Sequence, residues 1–240
     1  MLILALDTTS EVGGVGIYRD AERLAWVPNH GHANEFSVTL FEMVDQALAQ
    51  AQLELRQMEL YAVANGPGSF TGIRSGMAAA RAWGEAFERP VRAVSVLQAM
   101  LGQVRLSTDW AFPILDARRG EFFLRSFRRT PASALSTAIR DYEPAGEGWV
   151  LDPEALERAL EARLASGQTA TCVVRAHDQA AANLRARLPA TLAWQTVEGA
   201  LVDSIAAIAR QDEQSAAHRP DTALDAYYLR RPDAETNWKE

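Results

Sequence analysis

One short plan occurs twice in this chain and limits the available folds more than any other feature. Leu4-Ala5-Leu6-Asp7 and Pro113-Ile114-Leu115-Asp116 are apolar runs that each end on an aspartate. A turn holding glycine follows each (Gly13-Gly14 in the first, Gly120 in the second), and then another apolar stretch, Val15–Tyr18 or Glu121–Phe127. A short continuous apolar run reads as a strand buried on both faces. The glycine turn brings the chain back as a neighbouring strand. The recurrence of this opening suggests two related lobes in an α/β protein.

The rest of the chain fits around these openings. Leu24–Val27, Leu60–Ala64, Pro90–Val94, Thr137–Tyr142 and Thr171–Val174 read as further strands. Glu35–Gln52 reads as a helix with Asn34 as its N-cap. Its apolar positions Phe36, Leu40, Phe41, Met43, Val44, Ala47, Leu48 and Ala51 cover an arc of about 160°, wider than the stripe of a helix that lies on one surface. The arc implies contacts on two sides, either with its own sheet and a neighbouring helix or with a partner. A second helix runs from the Gly66–Gly72 loop to Phe87, with Gly72, Gly76, Ala80 and Gly84 recurring at every fourth position. This spacing leaves a smooth face for close backbone approach. Val96–Leu106, Asp178–Leu188 and Leu201–Gln211 read as helices, as does the segment from Asp152-Pro153 to Gly167, and Asp225–Arg231 as extended. Residues 1–106 are the expected first lobe and 107–240 the second, with the last helix or tail packing back on the first.

Composition removes several classes of function. Cys172 is the only cysteine, which excludes a disulfide within the chain and a cysteine-based zinc site. The formal charge is −7, so strong stand-alone nucleic-acid binding is not expected. No stretch approaches the length of a membrane span, and no basic segment precedes Leu2–Leu6, so a cytoplasmic, soluble protein is expected. His30 and His32, with Glu35 nearby, lack further ligands and read as solvated loop residues. The Arg-Arg pairs at 118–119, 128–129 and 230–231 read as solvated faces.

Two constellations could carry chemistry. The loop Gly66-Pro67-Gly68-Ser69-Phe70-Thr71-Gly72 lies between a strand and a helix, where backbone N–H groups can hold an anion. It is neither a Walker A loop nor G-x-G-x-x-G. The plain reading is a tight turn capped by Ser69 or Thr71. Asp7, followed by Thr8, Thr9 and Ser10, could hold Mg²⁺ through water and bind phosphate oxygens; with Asp116 across a cleft this would resemble an ATPase site. The plain reading here is an Asx-type turn with hydroxyl capping. Cys172 lies in a buried strand and reads as inert, and no G-x-S-x-G elbow occurs.

Four stretches together resemble the bacterial TsaB (YeaZ) family. They are Ile3–Ser10, Gly66–Gly76 (the most specific), Asp116-Ala117-Arg118-Arg119-Gly120-Glu121, and Tyr228-Leu229-Arg230 with Trp238-Lys239. The resemblance implies an actin-like, sugar-kinase-like ATPase fold of two ribonuclease-H-like lobes. It implies a scaffold subunit, itself non-catalytic, of the complex that makes threonylcarbamoyladenosine beside the anticodon of tRNAs. The implied partners are the catalytic paralogue TsaD as heterodimer, the ATPase TsaE, a second copy of the chain in isolation, and tRNA indirectly, with no membrane. ATP and Mg²⁺ would then bind only in the assembled complex, and Asp7, Thr8, Thr9, Gly66, Gly68, Ser69 and Asp116 would be vestigial phosphate loops. The positions of the paralogue's metal-binding histidines fall on Val96 and Met100, neither of which can hold iron or zinc in that setting. Arg175-Ala176-His177 stands where the family usually has glycine after a strand. Phe41, Val44, Leu48, Met77, Arg81 and Trp83 are assigned by resemblance to the partner surface. An active ATPase or small-molecule kinase using Asp7 and Asp116 is the alternative, and a metallopeptidase is a third reading that Val96 and Met100 argue against.

Overall fold

The structure is a computed structural model that describes residues 1–29, 36–130, 141–164 and 167–215. In chain order the first elements are β1 (Leu2–Asp7), β2 (Gly14–Arg19), β3 (Glu22–Pro28), α1 (Phe36–Ala51), β4 (Leu60–Gly66), α2 (Phe70–Ala86), β5 (Val91–Ser95) and α3 (Val96–Leu101). They are followed by β6 (Trp110–Arg118), β7 (Glu121–Leu124), β8 (Phe127–Arg129), β9 (Tyr142–Pro144), β10 (Trp149–Leu151), α4 (Pro153–Leu164), β11 (Ala170–Arg175), α5 (Gln179–Leu184), β12 (Ala193–Val197) and α6 (Val202–Gln214). The chain forms two compact units: Met1–Ala99 joined by the described chain from Gly199 onward, and Met100–Glu198.

The first unit is built on a sheet of order β3-β2-β1-β4-β5. β1 pairs antiparallel with β2 and parallel with β4, so that Asp7 lies opposite Gly14 of β2 and Leu4 opposite Tyr61 of β4. β1 is apolar without alternation because both of its faces are covered. Leu4 and Leu6 enter a core with Leu40 and Val44 of α1 and Ile73 of α2. Ile3 and Ala5, on the opposite face, are fully buried where α6 packs across β1, β4 and β5. Two polar ties hold α6 to the sheet. Tyr18 donates its hydroxyl to Asp203 at 2.7 Å, where Arg23 also reaches both carboxylate oxygens at 3.1 Å. Arg92 pairs with Glu213 at 2.6 Å.

The second unit repeats the plan. Its main path runs β10-β7-β6-β11-β12, with β8 and β9 added beside β6. β6 is antiparallel to β7 and parallel to β11, as β1 is to β2 and β4. Phe112 and Ile114 of β6 meet Leu156 and Leu160 of α4 in its core.

Several boundaries differ from the sequence reading. The stretch Glu121–Phe127 is not one strand but parts of β7 and β8. The break comes where the outer neighbour changes from β10 to β9. The helix expected over Val96–Leu106 ends at Leu101, before Gly102, and the one expected over Asp178–Leu188 is the shorter α5. β10 and β12 are strands that the sequence reading lacks. Most of the expected strand Thr137–Tyr142, the residues His30, His32, Asn34 and Glu35, and Asp225–Arg231, Trp238 and Lys239 lie outside the described residues. Among the described residues no helix is long and apolar enough to cross a membrane.

Candidate functional site

The turn after β1 and the loop after β4 fit into each other within the first unit. Asp7 and Thr8 are fully buried. One carboxylate oxygen of Asp7 accepts the Thr9 N–H at 3.1 Å and the Thr9 hydroxyl at 2.6 Å, an Asx-type turn. The Thr9 carbonyl in turn accepts the Ser69 N–H at 2.8 Å. Ser69 caps α2, its hydroxyl accepting the Gly72 N–H at 3.2 Å. A Cβ on Gly68 would lie 2.5 Å from the Thr9 carbonyl oxygen, and one on Gly76 would lie 2.4 Å from the Thr8 hydroxyl oxygen. Gly66, at φ +112°, turns the chain out of β4 in a conformation that favours glycine. Asp7, Thr8, Thr9, Gly66, Gly68 and Ser69 therefore meet at one end of the sheet.

The expectation of phosphate loops bears on the donors at this turn. The Ser69 and Gly72 N–H groups bond within the chain, and Thr9 turns its hydroxyl to Asp7. Among the described residues, no group of three or more His, Cys, Asp or Glu side chains is placed to hold a metal ion. Val96 and Met100 are buried apolar side chains. Asp116 lies in the second unit, where its N–H donates to Asp178 at 2.7 Å and its carboxylate accepts the Arg118 N–H at 2.7 Å. Arg175 is buried at the end of β11.

The helix pair α1–α2 presents a different kind of surface. The helices pack against each other and against the sheet. The small residues of α2 face inward: Gly76 meets Thr8 and Val63, and Gly84 meets Val91. The close approach that their spacing permits is to this chain's own sheet. Of the six residues assigned to a partner surface, Phe41 is 59% exposed, Arg81 is exposed and Leu48 is half-buried. Val44, Met77 and Trp83 are buried in the unit's own core. Val38, 81% exposed, and Phe70, 41% exposed, also reach the surface on these helices, and the sequence reading singles out neither. Val38 lies outside the apolar arc of its helix, and Phe70 falls in the loop by its sequence context. Phe41 meets Trp83 edge-on at 6.0 Å between ring centroids, and the Arg74 guanidinium lies 5.0 Å from the Phe70 ring centre. The large exposed apolar side chains of the described residues are Val38, Phe41 and Phe70, all on these two helices.

Known proteins are similar to this chain. The family model described as "TsaD: tRNA N6-adenosine threonylcarbamoyltransferase" matches residues 27–142. The protein of Bacillus subtilis named tRNA threonylcarbamoyladenosine biosynthesis protein TsaB is 31% identical over 123 residues, which is 51% of this chain and 53% of that one. Its Escherichia coli namesake is 31% identical over 134 residues, 54% of this chain and 56% of that protein. An uncharacterized protein of Mycobacterium tuberculosis is 35% identical over 151 residues, 59% of this chain and 67% of its own length. The match thus spans about half the length of the named relatives. A solved structure described as an uncharacterized protein with similarity to peptidase YEAZ from Pseudomonas aeruginosa superposes with a TM-score of 0.68 at 24% identity, covering 95% of this chain and 99% of that one. The fold is α/β, two units built on sheets of the same strand order, and it is shared with that solved structure. By these matches the chain belongs to the TsaB/YeaZ family.

Proposed function

We propose that this chain takes part in threonylcarbamoyladenosine formation on tRNA as a non-catalytic subunit. It pairs with a TsaD-type paralogue through its α1–α2 face, and with a second copy of itself when the paralogue is absent. The observation that carries this reading is the concentration of Val38, Phe41 and Phe70 on one helix pair. Exposed apolar side chains that lie together mark an interaction surface, as Val38 and Phe41 do about one turn apart on α1, and an aromatic residue packed on a buried one, as Phe41 is on Trp83, is the usual anchor of one. Binding here favours the paralogue's competent conformation, a population shift transmitted through the interface.

In this reading the TsaE ATPase joins the pair, tRNA is met through the paralogue, and ATP with Mg²⁺ binds only in the assembled complex. The internally bonded Ser69 and Gly72 N–H groups support the last point, as do the buried apolar side chains of Val96 and Met100. The net charge of −7 supports indirect contact with tRNA. The setting is the cytoplasm, where the tRNA is. Co-purification with the organism's own TsaD, followed by nucleoside mass spectrometry of tRNA, tests the proposal. The modified nucleoside should form only when both proteins are present. ATP hydrolysis by the purified chain alone would overturn it in favour of an ATPase using Asp7 and Asp116.

A further inference from the structure

Trp83 is an oversized side chain in a run of small ones. From Ala78 to Ala86 the other apolar residues of α2 are alanine or glycine, so Trp83 is the one large apolar side chain of those turns. It is buried, and its ring stands between two others. On one side it lies 5.9 Å from the Tyr61 ring, with 44° between the planes. Tyr61 is fully buried in β4 and donates its hydroxyl to the Leu55 carbonyl at 3.0 Å, so both ends of that side chain are fixed. On the other side Trp83 meets Phe41 at 6.0 Å and 86°, the edge-to-face geometry that ring quadrupoles favour. Phe41 is 59% exposed, whereas Leu40, Met43 and Val44 beside it on α1 enter the core. Three rings thus form a ladder from the sheet to the surface, and its last rung is the exposed one. An exposed phenylalanine that is free to change rotamer must be ordered when a partner covers it, which weakens binding. A ring already seated on a fixed one escapes most of that loss.

We propose that Trp83 is a positioning residue for association: seated on Tyr61, it holds the Phe41 ring in the orientation that the partner receives. Trp83 acts through Phe41 and not as a contact of its own. This role rests on the α1–α2 face being the surface that meets the TsaD-type paralogue, and it assigns the preorganisation of that face to one buried ring.

The test is a double-mutant cycle in the full chain, with affinity for the paralogue read by isothermal titration calorimetry. Trp83→Met keeps an apolar side chain but removes the ring. It should weaken binding about twofold to tenfold, the equivalent of immobilising one side chain on association. Trp83→Phe restores an aromatic edge and should recover part of the loss. In a Phe41→Ala background Trp83→Met should cost nothing further, because no ring is left to hold. A second measurement needs no change at Trp83. In the unpartnered chain carrying 4-fluorophenylalanine, the fluorine signal of Phe41, identified by its absence from Phe41→Ala, should be displaced from the free amino-acid position by the indole ring current. A Phe41 signal at the free position, unchanged affinity in Trp83→Met, or an equal loss in both backgrounds would overturn the positioning role. If Phe41→Ala weakens binding while one of those results holds, this inference alone falls. If Phe41→Ala leaves affinity unchanged, the α1–α2 reading falls with it.

Discussion

The two units share a strand order and differ in almost everything attached to it. In the first, α1 and α2 have 16 and 17 residues; in the second their counterparts α4 and α5 have 12 and 6. The long pair is the one that carries exposed aromatic side chains. The turns differ as well. The first unit closes Asp7, Thr9, Gly68 and Ser69 onto one another through backbone and short side chains, whereas the second ends in a hairpin with two arginines at positive φ. A duplicated sheet thus preserves strand pairing, while helix length and turn chemistry diverge into separate surfaces.

The contrast is easiest to break at the helix pair. Phe41→Asp should weaken the complex with the paralogue by about 2–4 kcal/mol, the range of a central aromatic anchor. Sedimentation would show the loss, and the melting midpoint should barely move because the side chain is 59% exposed. Leu48→Arg should act in the same direction, less strongly, since Leu48 is half-buried. Unchanged association in both would remove this face as the interface.

Next in size is the interlocked turn of the first unit. Gly68→Ala forces a Cβ to within 2.5 Å of the Thr9 carbonyl oxygen. Urea unfolding should show a loss of about 1–3 kcal/mol, the usual penalty of overpacking. A similar Gly120→Ala in the second unit meets open space but a φ of +76°, so its loss should be nearer 1 kcal/mol, about the cost of the left-handed backbone alone.

Alkaline pH separates the units by their buried groups. Burial raises the Cys172 thiol of the second unit from 9.0 to about 12, and burial raises the Tyr61 phenol of the first from 10.0 to about 12. Both groups are neutral below their unfolded values, so their contribution is complete there. It is lost as pH rises from the unfolded value through the folded one. The second unit should begin to lose stability from about pH 9, by about 1 kcal/mol at pH 10, and Cys172→Ala should flatten that slope in pH-dependent urea titrations.

The smallest effect concerns α6. Tyr18→Phe removes the hydroxyl that reaches Asp203, and chemical denaturation should register a loss of about 1 kcal/mol. Arg23→Ala leaves that hydrogen bond in place and takes away a half-exposed ion pair, so a few tenths of a kcal/mol, ~0.3, is expected. Equal losses from both would mean that the ion pair, not the phenol, holds the helix.

Much of this architecture is legible along the chain. The runs Leu2–Leu6 and Ala111–Leu115 announce the central strands because a strand covered on both faces needs no polar alternation. The recurrence of strand, aspartate and glycine turn points to duplication, and the sheet order carries it through every strand of the main path. The glycines of α2 also carry their message, although the surface they approach is the chain's own sheet. β12 is silent in the sequence because Ala193-Trp194-Gln195-Thr196-Val197 lies on a sheet edge and has no continuous apolar run. α5 reads too long because its stop at Leu184 has no glycine or proline to mark it.

Sequence by itself determined the central strands, the long helices α1 and α2 and the family resemblance, since periodicity and short turn motifs are local properties of the chain. Tertiary structure alone decided which apolar residues of the wide α1 arc were left over. Val44 went to the core and Phe41 to the surface, because the sheet and α2 together fill only part of that arc. It also decided that Asp7 and Ser69, far apart in the chain, meet through Thr9, and that the backbone turns left-handed at Arg118 and Arg119. Those outcomes depend on how distant segments compete for the same space, and no window of neighbouring residues contains that information.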